Sequence, residues 1–230
     1  MSDRNNMGEA IVGRILEEYV QKSDTKDIRI FHNVLISMPK NDSPDKKINC
    51  QYDHIIVSQE GIIVIETKYW HGITYVIRNK DDIKLLEGLL HFPESMKHNN
   101  KKEHGDTLIF NVKSPNDKIQ DEPYKINFYS PSSIIGKVRA RSACLKEYLS
   151  LKSPILNMIV FVEKENQAKL VYVGEGYFDP ITHIISSEKL NNELNYRYDE
   201  NAFLHNTWYC HSRDEYHSAC TMLAQYTRTT

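Results

Sequence analysis

The sequence predicts an α/β fold, and three observations carry that prediction. Apolar residues recur at Ile11, Val12, Ile15, Leu16 and Tyr19, the spacing of one face of a helix. Two near-continuous apolar runs follow, residues 52–58 and 61–69, with only Gln59 and Glu60 between them and Gly61 as the break. Runs of that kind suit strands covered on both faces. A second helix-then-strand unit comes later: Val138, Leu145 and Leu149 share a helical face over 134–149, and "ILNMIVFVE" (155–163) reads as a buried strand.

The elements between these fall into order. "IRIFHNVLIS" (28–37) is rich in β-branched and aromatic residues and predicts a strand, with the polar "PKNDSPDKK" after it as a turn region. Residues 79–130 turn polar and are read as an insertion on the sheet edge, although "LIFNV" and "YKINFY" can each form a short strand. A strand over 169–174, a short helix near 186–195 and a closing helix over 213–227 complete the order. Length favours one domain: a core at about 8–76 and 130–175, the insertion, and a helical C-terminal extension over 176–230.

Twenty-nine basic against 31 acidic side chains give a net charge of −2, so attraction to a polyanion must come from local clustering. No basic segment followed by an apolar run opens the chain, and no stretch of about 18 apolar residues occurs. A cytoplasmic protein with no membrane association is expected. Cys50, Cys144, Cys210 and Cys220 are scattered, so reduced thiols are expected, and the histidines near the last two lack zinc-site spacing. No Gly-rich phosphate loop or Gly-x-Ser-x-Gly elbow occurs.

The charged residues inside the apolar runs pose the chemical question. Alternate strand residues share a face, so Glu66 and Lys68 point the same way and Thr67 points opposite. A tight hairpin pairing Ser58 with Gly61 sets Asp53 opposite Glu66; a two-residue slip sets it opposite Lys68 on the same face, and a one-residue slip sends it to the other face. Gln59-Glu60 is not a favoured two-residue turn, and a three-residue loop ending in Gly61 with a bulge is the alternative. Glu9 borders the buried stripe of the first helix and can reach the same place; the helix dipole alone would also favour an acid there. For Asp53, Glu66 and Lys68 the alternative is a structural ion pair at a strand end. Two apposed carboxylates raise each other's pKa, and a divalent cation removes that penalty. Oxygen donors favour Mg²⁺ or Mn²⁺, and an adjacent ammonium suits phosphodiester hydrolysis.

"GE" with "IVGRIL", then "FHNVLI", then "QYDHIIVSQEGIIVIETKYWHG", resembles the nuclease-related domain, NERD, of the PD-(D/E)XK nuclease superfamily. The likeness is continuous over about 8–76 and looser over 130–163. It implies a restriction-endonuclease-like core, a central mixed sheet flanked by helices. It also implies a nuclease acting on DNA, or on RNA, in defence against foreign DNA or in repair. Asp53 and Glu66 would be metal ligands, the Thr67 carbonyl a further ligand, Lys68 the water-positioning group, and Glu9 a supporting acid. Gln51 and His54 are candidate cleft-lining residues, with shaping of the strand the favoured role for each, and Trp70 is expected to pack. Ile134 falls where the family often has a glutamine, and the family gives no role for the insertion.

Helix 134–149 carries Lys137, Arg139 and Arg141 as candidate phosphate contacts, against a plain solvated face. The locally basic "KHNNKKEH" (97–104) is a weaker candidate. A rival to the enzyme is a non-catalytic nucleic-acid-binding or protein-interaction module on the same fold. A homo-oligomer is compatible with either.

Overall fold

The computed structural model describes residues 3–23, 27–40, 43–78, 83, 107–113, 125–130, 132–164, 167–173, 181–198 and 212–226. In chain order the strands are β1 (Arg29–Lys40), β2 (Ser43–Ser58), β3 (Gly61–Lys68), β4 (Gly72–Ile77), β5 (Leu108–Lys113), β6 (Lys125–Tyr129), β7 (Leu156–Phe161), β8 (Ala168–Val173) and β9 (Thr182–Ser186). The helices are α1 (Asp3–Lys22), α2 (Lys137–Tyr148), α3 (Leu190–Tyr198) and α4 (Arg213–Ala224), with a π-helical turn, Ser132–Gly136, leading into α2.

Two mixed sheets form, ordered β1-β2-β3-β7-β9 and β6-β5-β4-β8. In the first, β1, β2 and β3 are antiparallel neighbours and β3, β7 and β9 run parallel. All six residues of β7 are buried, as its central place between two parallel neighbours requires. One face of this sheet packs on α1 and α3 through Val12, Leu16, Leu190 and Leu194. The other packs on α2 and α4 through Val138, Leu145, Tyr216 and Leu223. Val76, Ile109 and Leu170 of the second sheet join that same core cluster. A mixed α/β architecture flanked by helices is what the sequence predicts, and it is consistent with the PD-(D/E)XK nuclease fold.

Several elements depart from the sequence reading. The expected turn region after residue 37 is instead a hairpin: β1 continues to Lys40 and β2 begins at Ser43, and the register holds from Arg29↔Val57 through Pro39↔Lys47. Residues 45–49 are exposed there, so ladder hydrogen bonding rather than burial sustains this arm. "LIFNV" and "YKINFY" do supply β5 and β6; β6 pairs with β5 and β5 with β4, in a second sheet that β8 completes, rather than extending the first sheet. The C-terminal segment adds β9, a strand the sequence reading did not find. Gly72, which opens β4, has φ +91°, and a Cβ there would lie 2.2 Å from the Val112 carbonyl oxygen. Only glycine permits this approach of β4 to β5. No helix among the described residues is long and apolar enough to cross a membrane.

Candidate active site

The site lies at the end of β3, and an irregularity in β1 and β2 builds it. The β2–β3 hairpin pairs Ser58 with Gly61 and His54 with Ile65, the register that points Asp53 toward Glu66. Between β1 and β2, His32↔His54 and Val34↔Tyr52 are paired, but the intervening Asn33 and Asp53 are not. Asn33 has φ 51°, a left-handed conformation that asparagine tolerates better than most residues. Both strands change face there. Phe31 and Ile55 lie in the core beneath α2, and so do Val34, Ile36, Cys50 and Tyr52, whereas strict alternation would send the second group to the opposite side.

Asp53 sits at this change of face, buried at 8% exposure. Its Oδ2 accepts a hydrogen bond from the Thr67 backbone N–H at 2.7 Å, replacing a ladder partner where the β2–β3 pairing ends. A strand residue's N–H and C=O face the same edge, so the Thr67 carbonyl is turned toward the Asp53 side as well. The next carbonyl, of Lys68, faces β7 and accepts from the Val162 N–H.

Glu66 and Lys68 project from the β3 face that packs on α2, and the Lys68 Nζ donates to Glu66 Oε1. Arg141 of α2 reaches the same carboxylate and donates from Nη1 to Oε2. Glu9 enters from α1. A Cβ on the preceding Gly8 would lie 2.8 Å from Tyr69 Cβ and 3.3 Å from Thr67 Cγ2, so a glycine is what lets α1 close on the end of β3. Glu9 is the seventh residue of its helix rather than a first-turn acid, which leaves the helix dipole as a poor reason for it.

The electrostatics bind these residues into one unit. Burial first, then the Glu66 charge, push the Asp53 carboxyl up to about 7, with Glu9 adding and Lys68 and the Thr67 N–H opposing. Burial and Glu66 also raise Glu9, against the pull of Lys68. A carboxyl whose pKa is raised by folding costs stability once it ionises. From an ordinary value near 3.8, the unfolded chain releases this proton first and the folded chain keeps it until about pH 7. Stability of the cation-free protein therefore falls across that window, and Asp53→Asn removes the loss while its amide oxygen still accepts from Thr67. The melting temperature of the variant relative to wild type should climb between pH 4 and 7; a constant difference would refute the assignment.

Other expected site residues are placed differently. His54 is buried on the α1 side, where its ring lies beneath Gly13 and its Nδ1 is 2.7 Å from His32 Nδ1. It lies on the face of the sheet opposite Glu66, on the α1 side, hydrogen-bonded to the Glu9 backbone. Burial and His32 hold it down to about 3, a neutral packing histidine. Gln51 is exposed on β2. Trp70 packs, stacked on Tyr129 and edge-on to Phe161. Ile134 is buried in the core, so no polar group from that position reaches the site. Lys137, Arg139 and Arg141 do not form one face: Lys137 is exposed, the Arg139 Nε donates to Thr182 Oγ1 on β9, and Arg141 turns into the site. Residues 97–104 and Cys210 lie outside the described residues; Cys50, Cys144 and Cys220 are free thiols.

Among the described residues, no three His, Cys, Asp or Glu side chains are grouped to hold a metal ion. Glu66 is turned to Lys68 and Arg141, and Asp53 to the Thr67 N–H. The donor set itself suits a hard cation: oxygens only, carboxylates that repel one another, and a backbone carbonyl beside them.

The fold is a mixed α/β architecture consistent with that of PD-(D/E)XK-like nucleases. Residues 4–105 match the NERD family, the nuclease-related domain, and this stretch carries Glu9, Asp53, Glu66, Thr67 and Lys68. The match also runs into the segment that the sequence suggests is an insertion. No curated protein and no solved structure matches the chain.

Proposed function

We propose that this protein is a divalent-cation-dependent nuclease that hydrolyses phosphodiester bonds of DNA. The observation that supports this most is the coupling of Glu9, Asp53, Glu66 and Lys68 at one strand end, inside a segment of nuclease-related sequence. Burying repelling carboxylates serves no packing purpose, since apolar residues of similar size would stabilise the same strands.

Asp53 and Glu66, with the Thr67 carbonyl and Glu9 beside them, would hold Mg²⁺ or Mn²⁺. When bound, such an ion neutralises phosphate charge and makes water a better nucleophile. Lys68 would position the attacking water: its ammonium is anchored on Glu66 and its side chain is 21% exposed, so it can meet solvent and a substrate oxygen. The β3 backbone fixes the 66–68 spacing and the Thr67–Asp53 hydrogen bond fixes β2 against it, which supplies the rigid positioning that phosphoryl chemistry needs.

Incubation of the protein with single- and double-stranded DNA and RNA, with Mg²⁺, with Mn²⁺ and with a chelator, tests this reading. Cleavage of DNA that requires the cation is expected. Tight binding of DNA without turnover under all conditions would favour a non-catalytic binding module instead.

A further inference from the structure

Arg141 holds a position that phosphate contact alone does not explain. Its guanidinium takes one oxygen of Glu66 while Lys68 takes the other, so the carboxylate is satisfied by two protein cations. The helix bearing it is pinned around that point. Tyr52 Oη donates to the Arg141 carbonyl at 2.8 Å, Ser142 Oγ donates to Asn157 of β7, and Arg139 holds Thr182 of β9. Arg141 therefore enters the site from a fixed backbone, held by Tyr52, the residue before Asp53.

We infer that Arg141 is the internal counter-ion of the site, occupying Glu66 in the cation-free protein and passing to a substrate phosphate when a divalent ion takes that carboxylate. This rests on the nuclease reading for the phosphate and on the Glu66 pair for the counter-ion. The Arg141 side chain is 32% exposed against 14% for Glu66, so its outer side is open to a backbone phosphate. Only Nη1 is engaged with a described residue, and the planar fork keeps further N–H groups for a phosphate's oxygens. Lys137, one helical turn earlier and exposed, continues a line of positive charge away from the site. Arg141 and the cation compete for one carboxylate, so the two roles of Arg141 have opposite signs in experiment.

Arg141→Gln should bind Mn²⁺ more tightly, on the order of 10-fold, because a nearby positive charge is gone. Its turnover of DNA should fall on the order of 10²-fold, with a smaller change in KM, as when one preorganised donor to the transition state is lost. Arg141→Lys keeps the charge and should return Mn²⁺ affinity to near the wild-type value while restoring only part of the turnover; it also serves if the glutamine variant does not fold. Mn²⁺ affinity is read by titration on protein without nucleic acid. Unchanged or weaker Mn²⁺ binding by Arg141→Gln would overturn the counter-ion role, whatever the cleavage result. Tighter Mn²⁺ binding with undiminished turnover would overturn the phosphate role. Absence of cleavage by the wild type would instead count against the nuclease reading, leaving the Mn²⁺ comparison decisive for Arg141.

Discussion

Lys68→Ala is expected to lower the rate of DNA cleavage on the order of 10²-fold or more while leaving divalent-cation binding intact. Lys68 is not an oxygen donor, so its loss removes no ligand. It removes an ammonium that sits against Glu66 and lowers the pKa of both Asp53 and Glu9. Without it the carboxylates repel more strongly, and a divalent ion relieves more repulsion on binding. Single-turnover cleavage at saturating Mn²⁺ separates the loss of chemistry from any change in affinity. A variant that cleaves at the wild-type rate would remove Lys68 from the mechanism.

Gly8→Ala is the second large effect, and it is structural in origin. Alanine ordinarily favours a helix over glycine by about 1 kcal/mol. At position 8 the added Cβ meets Tyr69 Cβ at 2.8 Å, an atom fixed to the β3–β4 connection and unable to swing aside. Overpacking of this kind costs about 1–3 kcal/mol and pushes α1 away from β3, carrying Glu9 with it. Gly13 supplies the control. A Cβ there meets the His54 and His32 rings at 3.5 and 3.6 Å, ordinary contact distances. Gly13→Ala should therefore hold or raise stability, whereas Gly8→Ala should lower both stability and Mn²⁺ affinity. Equal behaviour of the two in denaturant titrations would mean that α1 is not seated on β3 through Gly8.

The part of this site that could be read in the sequence is the part made by neighbours in the chain. Period two puts Glu66 and Lys68 on one face, and the two-residue connection Gln59–Glu60 fixes the register that brings Asp53 across from them. Glu9 could be placed because its offset from Val12 and Leu16 borders the buried stripe of α1. Arg141 could not be assigned to the site, because its partner lies 75 residues away and nothing local to α2 distinguishes it from a solvated arginine. The change of face at Asn33 and Asp53 was equally hidden: a single left-handed asparagine leaves no mark on an apolar pattern that resumes on both sides. For His54 the motif was legible but the side was not, since the same irregularity decides which face it takes. At five residues, β9 is too short for its periodicity to separate strand from helix.

The C-terminal strand and helix support the site through α2. β9 covers the edge of β7 and receives Arg139, so it helps hold α2 in register with β3. α4 packs on the same core face as α2, closed at its start by a capping box between Ser212 and Glu215.

The central claim is that the carboxylates at the end of β3 bind a divalent cation and that this site cleaves DNA. It is tested most directly by measuring Mn²⁺ affinity and DNA cleavage on the same preparations of wild-type protein and Glu66→Ala. The prediction is that the wild type binds Mn²⁺ and cleaves only when the ion is present, and that a folded Glu66→Ala loses both properties together. Cleavage by Glu66→Ala at the wild-type rate, or by the wild type in the presence of a chelator, would place the chemistry elsewhere in the molecule.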